Sequence, residues 1–110
     1  MAVARHRGGG RPHHRRSLPA AGRGSAGPTL EICKYDAPED APPPPANRVG
    51  FGHIAFAVAD VERARAAVLA AGGREVGTTE TVPIAGAGHI TWTYVRDPEG
   101  NIIELQKREP

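Results

Sequence analysis

A five-residue pattern occurs twice in this chain and fixes most of what it can fold into. Leu30–Glu31–Ile32–Cys33–Lys34 and Ile103–Glu104–Leu105–Gln106–Lys107 both read apolar, Glu, apolar, neutral, Lys, at an offset of 73 residues. Such alternation marks a strand with one covered face. A full succession of elements precedes the second copy. Phe51–Val58 reads as a strand. Asp60 stands where a helix N-cap is expected, and Val61–Ala71 is built from good helix formers. Val61, Ala64, Val68 and Ala71 fall on one helical stripe. Gly72–Gly73 ends the helix. Arg74–Thr79 predicts a short strand, Thr81–Gly88 a loop and His89–Val95 a β-rich strand. Asp97–Pro98–Glu99–Gly100 has Pro and Gly where a type I turn favours them. Asn101–Lys107 is the last strand. The order from residue 51 is βαβββ. The first copy, in a strand over Thr29–Tyr35, would close a similar unit. The span Phe51–Ile103 shows that about 50 residues would be needed upstream of Leu30, and 29 are there.

Those upstream residues differ in kind from the rest. Residues 1–28 hold six Arg, no Lys and no acidic residue, so they carry +6. Residues 29–110 carry −4, which gives the chain its net charge of +2. Residues 1–28 show no apolar periodicity and contain six Gly and three Pro, which predicts a disordered, solvated arm. Arg15–Arg16–Ser17–Leu18 hints at an export signal, but no apolar run follows it. A transit peptide would need an amphipathic helix, which the Gly and Pro residues oppose. The segment Asp36–Asn47, with Pro38 and Pro42–Pro45, predicts a semi-rigid linker. The expected organisation is therefore a disordered arm over 1–28 and a closing strand of a truncated first module over 29–35. A Pro-rich linker over 36–48 and a βαβββ module over 49–110 follow. About 80 residues can build a core, near the lower end of self-sufficient domains.

Composition also excludes function classes. No stretch approaches the roughly 18–20 apolar residues of a membrane helix, so no membrane partner is expected. A single Cys, Cys33, excludes an internal disulfide framework and a Cys-based zinc cluster. One thiol suits a reducing, cytoplasmic setting. The foldable part is acidic, which argues against a nucleic-acid partner.

Several segments together resemble a known family. Phe51–Gly52–His53–Ile54–Ala55–Phe56–Ala57–Val58, Asp60–Val61–Glu62, Ala70–Ala71–Gly72–Gly73 and Arg96–Asp97–Pro98–Glu99–Gly100–Asn101–Ile102–Ile103–Glu104–Leu105 look like the second module of the vicinal oxygen chelate superfamily. That superfamily includes glyoxalase I, methylmalonyl-CoA epimerase, bleomycin and fosfomycin resistance proteins and extradiol dioxygenases. The resemblance covers residues 29–110. It implies an α+β fold in which the βαβββ module forms half of a cupped, barrel-like mixed sheet, preceded by one extra strand and the arm. In the family, two such modules surround one divalent metal, and each gives a ligand from its first and its last strand. Carried over, the resemblance implies His53 and Glu104 as ligands from the complete module and Glu31 from the broken one. The fourth ligand has no counterpart, and His6, His13 and His14 lack strand context.

The strand faces agree with that set. His53, Ala55 and Ala57 share one face of their strand, and Ile54, Phe56 and Val58 share the other. Glu104 lies opposite Ile103 and Leu105, and Glu31 opposite Leu30 and Ile32. Imidazole with carboxylates suits Zn, Ni, Co, Mn or Fe(II), without choosing among them. On the fourth strand, Ile90, Trp92 and Tyr94 share one face. Its own pattern sends the aromatics to a core, whereas the resemblance has Trp92 and Tyr94 line the substrate pocket. His89 reads as a surface residue, Cys33 as an inert thiol, and Asp97–Asn101 as turn chemistry.

The expected function is a metal-dependent lyase or isomerase, similar to lactoylglutathione lyase or methylmalonyl-CoA epimerase. The metal would chelate a small oxygenated substrate and stabilise its enolate. Glu31 or Glu104 would carry the proton. Two other readings stand beside it: a metal-free module that sequesters a ligand, as in bleomycin resistance, and a truncated inactive fragment. Open sheet edges predict a homodimer.

Overall fold

The computed structural model describes residues 28–110 and the backbone of Pro12–Pro19. Its elements are β1 (Pro12–Pro19), β2 (Thr29–Tyr35), β3 (Ile54–Ala57), α1 (Val61–Ala70), β4 (Arg74–Pro83), β5 (His89–Arg96) and β6 (Ile102–Glu109). They fall in two compact units, Met1–Ala41 and Pro42–Pro110.

In the first unit β1 pairs with β2 antiparallel, from Pro12↔Tyr35 to Pro19↔Thr29, with a register shift between Pro12 and His14. The arm expected to be disordered over 1–28 thus differs from expectation at 12–19; its other residues up to 27 lie outside the described ones. The physical reason is backbone pairing: a strand such as β2 presents N–H and C=O groups that β1 satisfies. Proline stands at both ends of β1, where an edge strand tolerates it.

The second unit is the expected βαβββ module. Its mixed sheet has the order β3-β6-β5-β4, with β3 parallel to β6 and the other pairs antiparallel. The parallel pair requires a crossover, and α1 provides it. Asp60 caps α1: its Oδ1 accepts from the Arg63 N–H at 2.9 Å. The helix ends in a Schellman motif. Gly73 N–H donates to the Val68 carbonyl, Gly72 N–H donates to the Leu69 carbonyl, and Gly72 takes the left-handed φ of +96° that the motif needs.

The register sorts side chains into two faces. One carries the row Phe56, Leu105, Thr93 and the row Ile54, Ile103, Val95, Glu75. Helix α1 lies over this face: Arg65 pairs with Glu75 at 2.9 Å, and Thr79 donates to Glu62. The buried set is small, consisting of Val61, Val95, Ile102, Leu105 and Thr93. Each fully buried Val or Leu contributes about 1.5–3 kcal/mol. Thr93 fills its place with an unpaired hydroxyl, at a cost of about 1–3 kcal/mol.

The β5–β6 turn aligns the two central strands. Gly100 N–H donates to the Asp97 carbonyl at 2.9 Å, and Asp97 Oδ1 accepts from the Glu99 and Asn101 N–H groups. Arg96 then ties this turn to the Pro-rich segment, donating from Nη1 to the carbonyls of Gly100 (2.6 Å) and Pro44 (3.0 Å). The last part of the expected linker is therefore docked on the module. Pro43 lies so close to Gly100 that a Cβ there would sit 2.8 Å away.

Candidate metal and substrate site

The other sheet face carries the chemistry-bearing residues. Its rows are Ala55, Glu104, Tyr94, Val76 and Ala57, Gln106, Trp92, Glu80. Glu104, Gln106, Tyr94 and Trp92 are half-buried, and the alanines are exposed. Small residues on the edge strand leave the larger side chains of the central strands accessible. His53 reaches this face from just ahead of β3. Its Nε2 lies 2.9 Å from Glu104 Oε2, with 36% of the His53 and 16% of the Glu104 side chain exposed. The Tyr94 ring meets the His53 ring edge to face, with centroids 5.0 Å apart and planes at 77°. The Tyr94 phenol is held above its ordinary pKa, first by burial, then by the charge of Glu104 and hydrogen bonding to it. Beyond the end of β3, Ala57, Val58, Gln106, Lys107 and Arg108 line a depression.

Of the expected ligands, the structure brings His53 and Glu104 together. Glu31 lies on β2 in the first unit, exposed and with an interaction of its own. Among the described residues, no three His, Cys, Asp or Glu side chains converge as a metal-holding group. Trp92 and Tyr94 both lie on the Glu104 face.

Two details depart from the sequence reading. The strand expected over Phe51–Val58 is Ile54–Ala57, so His53 precedes the ladder. Its partner strand β6 begins at Ile102, and β3 is an edge strand, so pairing runs out there. Ile102 alternates with Glu104, yet it is buried. It sits directly opposite Arg96, whose guanidinium is fixed on the Gly100 and Pro44 carbonyls. What the sequence reading missed is that Tyr94 and Glu104 are cross-strand partners. A turn closed between Asp97 and Gly100 would set Tyr94 opposite Ile103. The ladder instead closes one residue later, with the Asp97 N–H donating to the Asn101 carbonyl and Gly100 at a left-handed φ of +91°, which sets Arg96 opposite Ile102 and Tyr94 opposite Glu104.

An imidazole nitrogen beside a carboxylate oxygen is a donor set that fits a divalent metal. Such a pair would give a bound ion two protein ligands.

The chain belongs to the glyoxalase/bleomycin resistance protein/dioxygenase superfamily, whose family model matches residues 3–105. It is 41% identical over 61 residues to a putative lactoylglutathione lyase of Brassica oleracea var. gemmifera, covering 56% of this chain and 21% of that protein. It is 39% identical over 61 residues to a lactoylglutathione lyase of Arabidopsis thaliana, covering 56% of this chain and 20% of that protein. The matched stretch thus spans about a fifth of the length of these relatives. No solved structure was found to match the chain. No helix among the described residues is long and apolar enough to cross a membrane.

Proposed function

We propose that the chain is a divalent-metal-dependent lyase or isomerase of the lactoylglutathione lyase type, acting on a small oxygenated substrate. The observation that carries this reading is the His53–Glu104 pair, 2.9 Å apart on the sheet face opposite α1. Family membership and the names of the relatives support it. His53 and Glu104 would hold the ion, with Glu31 proposed as a third ligand. A bound divalent ion would supply Lewis acidity toward two substrate oxygens.

The chain's own residues do the rest. Glu104 or Glu31 takes the proton from the acidified C–H and returns it to the neighbouring carbon, a task for a carboxylate within reach of both. Trp92 and Tyr94 form the wall along which the substrate lies. Three protein ligands would leave the remaining positions of a bound ion open to substrate. A second copy of the chain is the partner this reading calls for, because two copies related by a two-fold axis would rebuild a cup from two half-cups and cover open sheet edges. A reducing cytoplasm suits the single thiol.

The test is metal analysis of the purified full-length protein, together with lactoylglutathione formation and light scattering. Wild type should hold stoichiometric metal and scatter as a dimer. His53→Ala and Glu104→Ala should lose the metal while remaining folded. Absence of stoichiometric metal in the wild type overturns the reading. A ligand that then raises Tm without any response to chelator would point to the sequestering module instead.

A further inference from the structure

His53 has an unusual footing for a residue with a fixed task. It precedes β3, so no ladder holds its backbone. Gly52 before it has open space around the position of a Cβ, and Phe51 is 85% exposed. Its ring is instead set against two side chains of the central strands, Glu104 on β6 and Tyr94 on β5. Tyr94 stands on firmer ground. It is paired on both sides, to Val76 of β4 and to Glu104 of β6. It also follows the fully buried Thr93 and precedes the fully buried Val95.

We propose that Tyr94 is the positioning residue of this site: its ring sets the tilt of the His53 imidazole so that Nε2 faces Glu104 before any ion or substrate arrives. The inference rests on the reading of His53 and Glu104 as the working pair. A ring anchored in mid-sheet supplies what the missing ladder does not. An aromatic ring is well suited to this, since edge-to-face contact fixes an angle as well as a distance. A side chain with few rotatable bonds also loses little freedom in holding it. The positioning follows from the ring, so a phenylalanine should serve.

The experiment uses the full-length chain, stripped of metal, as wild type, Tyr94→Phe and Tyr94→Leu. Two readouts are taken: the His53 ring resonances by NMR, and Zn2+ affinity by competition with a chelator. Tyr94→Phe should keep the wild-type His53 resonances and bind zinc nearly as well. Tyr94→Leu should displace those resonances and weaken zinc binding by about 10–100-fold, the range for residues that orient metal ligands. If Tyr94→Leu does not fold, Tyr94→Met replaces it, filling similar space without a ring edge. Unchanged His53 resonances and zinc affinity in the leucine or methionine variant overturn the proposal. So does a phenylalanine variant as displaced as the leucine one. If wild type takes up no zinc, the metal-enzyme reading fails, while the NMR comparison still decides the role of Tyr94.

Discussion

β2 and β6 carry nearly the same five-residue pattern and live in different surroundings. β6 is central, with β3 parallel on one side and β5 antiparallel on the other. Among the described residues, β2 has one partner strand, β1. Leu105 and Ile32 occupy the same place in the pattern, and Leu105 is 5% exposed whereas Ile32 is 49% exposed. Alternation therefore says which residues share a face but not whether that face is covered. Coverage comes from the neighbours: α1 lies over the Leu105 face of its sheet, and Phe56 and Thr93 flank Leu105 in the same row. The two glutamates divide in the same way. Glu104 is held among His53 and Tyr94 on a half-buried surface, and Glu31 is exposed.

The largest effect should come from truncating the two equivalent apolar residues. Leu105→Ala removes a buried side chain from a core of very few, and about 2–5 kcal/mol of stability should go with it. Ile32→Ala should cost under about 1 kcal/mol, as a substitution at a well-exposed site. Urea unfolding monitored by circular dichroism measures both. Equal costs would break the comparison and show that the Ile32 face is covered in solution.

The equivalent glutamates give the next effect. Glu104→Gln keeps the shape and removes the charge that faces His53. Zinc affinity should fall by about 100-fold or more, since loss of a direct ligand should exceed the effect of an orienting residue. Glu31→Gln should also weaken zinc binding if Glu31 is the third ligand, and less steeply, because the His53–Glu104 pair remains. Isothermal titration of the metal-free variants separates the two. An unchanged affinity in Glu31→Gln would remove Glu31 from the ligand set and leave the two strands alike in sequence only.

Much of the module was legible because local chemistry and tertiary packing agree there. Asp60 caps the helix, Gly72–Gly73 stops it, and Asp97–Gly100 closes the turn, each by hydrogen bonds within a few residues. The departures arise where a distant partner decides. β4 runs on to Pro83 through residues read as loop, because β5 offers partners as far as His89 and a bulge between Val76 and Glu80 absorbs the misfit. Pro83 is tolerated since β4 is an edge strand. β1 could not be read from an Arg/Gly-rich segment whose pairing depends on β2. At the site, the residue types of His53 and Glu104 were legible from the resemblance. Their contact with Tyr94 depended on hairpin register, and the short extent of β3 depended on where β6 begins.

The smallest effect concerns how Glu104 acts on its neighbour, which the exposed Glu31 does not share. The Tyr94 phenol is held above its ordinary value of 10.0, with burial the largest cause and the Glu104 charge the next. In the folded protein the phenol keeps its proton at pH values where the unfolded chain has released it. Its contribution to stability is thus fully present below about pH 10 and is lost as pH rises through the folded-state pKa. Glu104→Gln removes the charge and leaves the burial, so the phenol titration should move part of the way back toward the ordinary value. The alkaline loss of stability should soften to match. Ultraviolet difference titration of wild type and Glu104→Gln, with Tyr94→Phe to identify the signal, measures this. A Tyr94 titration indifferent to Glu104→Gln would mean that burial alone sets it. The carboxylate would then be turned toward His53 and away from the phenol, and the ring of Tyr94 would be its sole link to the pair.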